Sequence, residues 1–180
     1  TTGHALTVIS VVGHLYNISE LLNIDLANIK VAIVGAAGSI GSNCAKLLSK
    51  DNKIKQIQLI DVPRKINDVK NLAGNLKTIN ANIIFSISDN IIDVKDCQII
   101  ITATNQPDTL IFPWHLKYGA IIINDAQPTD VSEEVYRDRK DFIVIEGGVV
   151  NLKELEIKFD FGLKERGDIF SCLGETILLA

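Results

Sequence analysis

Lys30-Val31-Ala32-Ile33-Val34-Gly35, followed at once by Ala36-Ala37-Gly38-Ser39-Ile40-Gly41, decides the architecture of this chain. The first six residues read as a short apolar strand that stops at a glycine. From Gly38 to Lys50 the residues Ile40, Cys44, Leu47 and Leu48 fall on one face of a helix. A strand, a tight glycine turn and a helix in succession place the first amides of the helix where they face an anion. Gly35 ends the strand. Gly38 opens the helix where a side chain would block a phosphate, and Gly41 comes one turn later, where helix and strand pack closely. The spacing is G-x-x-G-x-x-G, a variant of the commoner G-x-G-x-x-G, and its strand-to-helix setting gives it weight that a bare glycine string lacks.

The pattern continues in both directions. Upstream, residues 4–22 read as a heavily buried helix, with Asp25 to Asn28 as a short linker. Downstream, strands are expected at Gln56 to Val62, Asn82 to Ser86, Cys97 to Thr104, Ala120 to Asp125 and Phe142 to Gly147. Helical segments are expected at Asn67 to Ile79, Phe112 to Tyr118 and Val131 to Arg137. Glu156 to Phe161 alternates like a strand or an extended arm, and Ile169 to Leu179 reads as a closing helix with a sheet-facing stripe of Ile169, Leu173 and Ile177. Strands alternating with helices form right-handed units on a parallel sheet. The expected fold is therefore a doubly wound, Rossmann-type α/β domain over residues 1–180, with a mainly parallel sheet and helices on both faces.

In such a sheet a ligand lies outside the carboxyl ends of the strands. The ligand expected is a nicotinamide dinucleotide, NAD(P)H, its pyrophosphate against Gly35, Ala37, Gly38, Ser39 and Ile40. Asp61 ends the second strand, about 20 residues after Gly41, where a carboxylate accepts hydrogen bonds from the adenosine ribose and favours NAD. Arg64 and Lys65 follow at once, and a guanidinium there suits a 2′-phosphate, so NAD and NADP both stay open. Thr104 and Asn105 leave a buried strand with polar groups beside the cofactor, and Gly147-Gly148 lets a nicotinamide ring approach the backbone.

Composition narrows the classes. Of 180 residues, 47% are hydrophobic and 22% charged, which is a folded globular balance. The net charge of -4 offers no basic stripe and argues against a nucleic-acid partner. The apolar runs have strand length, so no membrane span is expected, and no signal peptide is visible. Three widely spaced cysteines make neither a disulfide framework nor a metal pattern, which suits a reducing cytoplasm. A start at Thr1 without methionine and a stop inside an apolar run suggest a piece of a longer protein.

Cys44 and Cys97 read as small buried apolar residues. Cys172 lies in the first turns of the closing helix, with Asp168 or Ser171 as its cap, where free amides and the helix dipole favour a thiolate. The local pattern alone favours a helix-packing cysteine; a thiolate there would be a nucleophile toward a thioester. His4 and His115 are candidate proton donors, and His14 sits within an apolar helix pattern.

Thr1-Thr2-Gly3, the V-A-I-V-G-A-A-G-S-I-G-S loop, Glu146-Gly147-Gly148-Val149-Val150, and Ile169-Phe170-Ser171-Cys172-Leu173-Gly174-Glu175-Thr176-Ile177-Leu178-Leu179 together resemble the long-chain acyl-[acyl-carrier-protein] reductases. The loop and fold are also similar to shikimate dehydrogenase-like domains. The first resemblance implies NADPH-dependent reduction of a fatty acyl thioester, small-molecule or carrier-bound, to an aldehyde, with the acyl group passing through Cys172 and an acyl carrier protein as a possible partner. The chain departs from that family at Leu173-Gly174, at Asp61 and at His4-Ala5-Leu6-Thr7, and the family's N-terminal substrate domain is absent. Two other readings stand beside it: a shikimate dehydrogenase-like or amino-acid dehydrogenase-like enzyme without a covalent step, and a nucleotide-sensing module that is not an enzyme.

Overall fold

A computed structural model describes residues 3–152, 159, 161–165 and 167–180. Its centre is a parallel sheet of β1 (Lys30–Val34), β2 (Gln56–Ile60), β3 (Ile84–Ser88), β4 (Ile99–Thr102), β5 (Ile121–Asn124) and β6 (Ile143–Glu146). The order across the sheet is β3-β2-β1-β4-β5-β6, the doubly wound order in which the chain reverses direction between β1 and β4. The fold expected from the sequence is the one observed.

Branched side chains explain why these strands are central. β4 and β5 are isoleucine but for their last residue, β1 is Val-Ala-Ile-Val after Lys30, and alternate residues serve opposite faces. Val31, Ile33, Ile99, Ile101, Ile121 and Ile123 join one core, under α1 (His4–Leu21), α2 (Ser39–Ser49) and α3 (Ile66–Ile79). Ala32, Val34, Ile100 and Ile122 join the other, covered by Val94, Ile111, Leu116, Val131 and Val135. Val135 comes from α4 (Glu133–Asp138), whose N-cap Ser132 accepts a hydrogen bond from the Glu134 amide.

Register matters most for function. Ser88, Ile60, Val34, Thr102, Asn124 and Glu146 form one row across the carboxyl edge of the sheet. The next residues, Asp61, Gly35, Ala103, Asp125 and Gly147, therefore emerge side by side at the same edge.

Three expectations need correction. The edge strand begins at Ile84 and not at Asn82, because the Asn80 side chain accepts from the Asn82 amide and holds that residue in a turn. Ile91–Asp96 forms a short 3-10 helix that the sequence pattern does not foretell. Asp168–Phe170 is strand β8, antiparallel to β7 (Val149–Asn151), so the last helix, α5 (Ser171–Leu178), starts two residues later than expected. Ile169 is buried in that ribbon, while Ile177 is exposed. The buried positions of α5 are Ser171 and Gly174, not the stripe of Ile169, Leu173 and Ile177. Gly174 allows close approach: a β-carbon there would lie 3.3 Å from Leu6 of α1 and 3.4 Å from Val150. Thr1, Thr2 and most of the 156–161 arm lie outside the described residues.

Candidate nucleotide and thiol site

The glycine loop is built by close approach. Gly35 has φ of 81°, a conformation open to glycine, and a β-carbon on it would lie 2.5 Å from the Ala103 carbonyl oxygen. A β-carbon on Gly41 would collide with the Gly35 carbonyl, so α2 can lie against β1 only with glycine there. Gly38 is the N-cap of α2 and provides no side-chain cap, which leaves the first-turn amides of the helix directed toward the crevice.

That crevice has a volume of about 350 Å³ and is lined by Gly35, Gly38, Ser39, Ile40, Asp61 and Thr104, among others. Asn105 and Lys65 line it too, whereas Arg64 is exposed on the 3-10 turn beyond β2. Ala37 contributes its backbone: its amide donates to Asp61 Oδ2 at 2.8 Å, and the Val62 amide donates to Oδ1 at 2.9 Å. A carboxylate has about four acceptor sites, so Asp61 both ties the loop to β2 and keeps capacity toward the crevice. The residues fit a dinucleotide on structural grounds: a glycine cradle that a β-carbon would fill, uncapped helix amides for the pyrophosphate, and a carboxylate at the ribose end.

The polar groups after β4 and β5 are spent largely on each other. Thr102 Oγ1 donates to Asn124 Oδ1 at 2.9 Å, which also accepts from the Asp130 amide at 3.2 Å. Thr104 Oγ1 donates to Asp130 Oδ1 at 2.7 Å. Asp130 is fully buried, and burial raises its pKa above the ordinary carboxylate value. Asn124 and Asp130 were missed in the sequence; the polar tail of an otherwise all-isoleucine strand was the available signal.

A second cleft, of about 300 Å³, adjoins the first. Cys172, Phe170, Gly148, Glu146, Thr7 and Asn124 line it, and it shares His4, Ile40 and Asp125 with the nucleotide crevice. Cys172 is exposed, unlike Cys44 and Cys97, which are fully buried. Burial pushes the Cys44 thiol up to about 12 and the Cys97 thiol to about 11. The cap expected for the Cys172 helix is absent: Phe170 is the N-cap without a side-chain bond. The Ser171 amide donates instead to the Gly148 carbonyl at 2.8 Å, and among the described residues its buried hydroxyl has no partner. Gly147 does not face the cleft. It is buried, and a β-carbon on it would lie 2.8 Å from Ile123 and 3.0 Å from Val11.

α1 closes the site from above. Gly3 lies so tightly on Cys172 that no β-carbon fits between them. His4 follows, exposed, with Nδ1 2.7 Å from Ser39 Oγ on the glycine loop. His115 is instead buried under Phe112, with Nδ1 3.1 Å from the Leu110 carbonyl, and burial lowers its pKa. It lines neither cleft. His14 Nδ1 is buried and has no partner among the described residues.

Asp125 is a titratable group that the sequence marks only as a strand end. It is half-buried between the two clefts, and burial raises its pKa to about 7. Its carboxylate fills the space against Gly148, where a β-carbon would collide with Oδ1. Among the described residues no cluster of side chains suits a metal ion, and no helix is long and apolar enough to cross a membrane.

A fold of this topology with a glycine crevice at the β1/β4 switch point is a dinucleotide-binding domain. Residues 30–145 match the semialdehyde dehydrogenase, NAD binding domain, family, and the chain belongs to it. It is an NAD-binding domain. The chain is also 27% identical to an aminotransferase, PigE of Serratia sp., over its whole length, but spans 21% of that protein. Among solved structures, quinate dehydrogenase from Corynebacterium glutamicum in complex with NAD is similar at a TM-score of 0.54, 17% identity, over 79% of this chain and 50% of that one. Shikimate 5-dehydrogenase from Listeria monocytogenes is similar at a TM-score of 0.54, 11% identity, over 77% and 53%. At these identities the likeness is one of fold.

Proposed function

We propose that this domain serves the NAD(P)H-dependent reduction of an acyl thioester to an aldehyde, with Cys172 as the nucleophile. The observation that carries this reading is the exposed Cys172 in a cleft that shares His4, Ile40 and Asp125 with the glycine-loop crevice. The resemblance to the long-chain acyl-[acyl-carrier-protein] reductases at the Cys172 helix supports the same chemistry.

The cofactor supplies a hydride when bound. The chain does the rest. Gly35, Ala37, Gly38, Ser39 and Ile40 hold the pyrophosphate, and Asp61 takes the ribose hydroxyls. Thr104 and Asn105 line the path toward the nicotinamide, and Gly148 lines the thiol cleft beyond it. Lys65, facing the crevice, is the cation placed for a 2′-phosphate, more so than Arg64. Cys172 attacks the thioester carbon, and the carrier or coenzyme A leaves as its thiolate. The acyl group then sits on Cys172 beside the nicotinamide end. An aldehyde product suits the aminotransferase relative, because transamination uses a carbonyl compound as amino acceptor.

The test uses the natural protein in full length. Mixed with an acyl-coenzyme A without reductant, it should gain the mass of one acyl group at Cys172. Cys172→Ser should lose the adduct and the aldehyde while keeping NAD binding, since a serine hydroxyl is a far weaker nucleophile at neutral pH. Full aldehyde production by the serine variant would leave a dehydrogenase without a covalent step as the better reading.

A further inference from the structure

The carboxyl group of Asp125 has an unusual setting. It follows directly on β5, in the row that also places Gly35 and Asp61. Among the described residues no side chain or amide hydrogen-bonds to it, and no Lys, Arg or His nitrogen is within ion-pair distance. Yet it is half-buried and forms part of the wall between the nucleotide crevice and the Cys172 cleft. One short chain of contacts leads from it to the thiol. Its Oδ1 abuts the Gly148 backbone, the Gly148 carbonyl accepts from the Ser171 amide at 2.8 Å, and Cys172 is the next residue.

The groups around it are His4 from α1, the buried Cys44 thiol from α2, Glu146 at the end of β6 and Cys172 on α5, with Asp61 and Lys65 across the crevice. Glu146 and Asp61 are anionic neighbours, and none of the cations pairs with Asp125. Burial without a countercharge favours the neutral acid, and a carboxyl poised near neutrality can both give and take a proton.

We propose that Asp125 is the acid–base residue of the reduction, protonating the acyl oxygen as hydride reaches the acyl carbon on Cys172. This rests on the thioester reading above. The balance closes. The Cys172 thioester gains a hydride from the reduced dinucleotide at carbon and the Asp125 proton at oxygen, giving a neutral hemithioacetal and an Asp125 carboxylate. The carboxylate then takes the hydroxyl proton back as the carbon–sulfur bond breaks. The products are the aldehyde and the Cys172 thiolate, and Asp125 is again neutral. No proton need cross from solvent, and the thiolate is ready for the next thioester.

The test compares Asp125→Asn and Asp125→Glu with wild type in the full-length natural protein. Asparagine should leave the Cys172 acyl adduct and NAD binding intact and slow aldehyde release by about 10²-fold, the lower range for general acid–base catalysis. Glutamate should restore part of the rate, and the fall in kcat expected of wild type above neutral pH should be missing from the asparagine variant. A readout independent of turnover is the infrared carbonyl band of a protonated carboxyl in the cofactor-free protein. The part of that band that Asp125→Asn removes, beyond any from the buried Asp130, should titrate near neutrality. Normal aldehyde formation by the asparagine variant, or a band at pH 6 no larger in wild type than in that variant, overturns the role of Asp125 and leaves Cys172 standing. A wild-type protein that forms neither adduct nor aldehyde with any acyl-coenzyme A overturns both.

Discussion

The Asp61 carboxylate and the Ala37 amide meet at 2.8 Å, so the residue expected to read the ribose also holds the loop expected to read the pyrophosphate. The two tasks are therefore linked. Asp61→Ser removes the repulsion of a 2′-phosphate and should raise NADP affinity relative to NAD. It also releases the loop, so NAD affinity should fall by about tenfold, the equivalent of about 1.4 kcal/mol for one lost charged hydrogen bond. Titration calorimetry with both nucleotides checks each part. A wild-type preference for NADP would instead give the decision to Lys65.

Gly38 tests the cradle directly. A β-carbon there would lie 3.0 Å from the Gly35 carbonyl oxygen and at the mouth of the crevice. Gly38→Val should abolish NAD and NADP binding while the helix itself survives, since an N-cap has extended backbone, here φ -71° and ψ 167°. Unchanged affinity for both nucleotides would place the pyrophosphate elsewhere.

The three thiols should separate cleanly under alkylation. Cys44 and Cys97 are buried and pushed up to about 12 and about 11, while Cys172 is exposed. Iodoacetamide at neutral pH should modify Cys172 first, by at least about tenfold in rate, as peptide mass mapping would report. NAD in excess should slow that labelling, because the two clefts share walls. Equal rates with and without the nucleotide would separate the clefts.

Asp125 sets a pH dependence of stability. Its pKa is raised by burial from 3.8 to about 7, so between those values the folded protein keeps a proton that the unfolded chain releases. Stability from this group is full at low pH and is lost as pH rises through about 7. Asp125→Asn should therefore gain in Tm over wild type by more at pH 8 than at pH 5. The difference should be a few degrees, at about 2–4 °C per kcal/mol for a chain of this size. A constant offset in scanning calorimetry at the two pH values would mean an ordinary carboxyl.

The sheet and the glycine loop were legible because they are local. Lys30 to Gly41 carries strand, turn and helix in one stretch, and runs such as Ile99 to Thr102 fit only a strand buried on both faces. The thiol cleft was legible in one part. Cys172 was placed at the start of the last helix, but the stripe expected to face the sheet is not the one α5 uses, with Ser171 and Gly174 buried instead. The error came from reading Ile169 as helical. Its pairing with Val150 across β7 and β8 joins segments that no local period connects. Asp125 was legible only as a strand end, for a related reason: a lone carboxylate after a strand looks like a turn residue until a neighbouring glycine and a second cleft are seen around it.

The first and last helices meet at the thiol. Gly3 lies against Cys172, and the Leu6 amide donates to Glu175 Oε2 at 2.8 Å across 169 residues of chain. Closing a span of that length carries one of the larger entropic penalties in the molecule. Little apolar burial offsets it at this seam, where Leu6 and Leu173 are half-buried, whereas the strand isoleucines at positions 99, 100 and 101 are sealed from water. The ends of α1 and α5 thus form a region able to open while the six strands stay shut, a sub-global opening of lower free energy than unfolding. Amide exchange should report it as faster and correlated loss of protection at both helix ends, slowed together when a ligand fills the cleft. Such a seam gives the Cys172 cleft a way to open without disturbing the glycine loop on the other side of the wall.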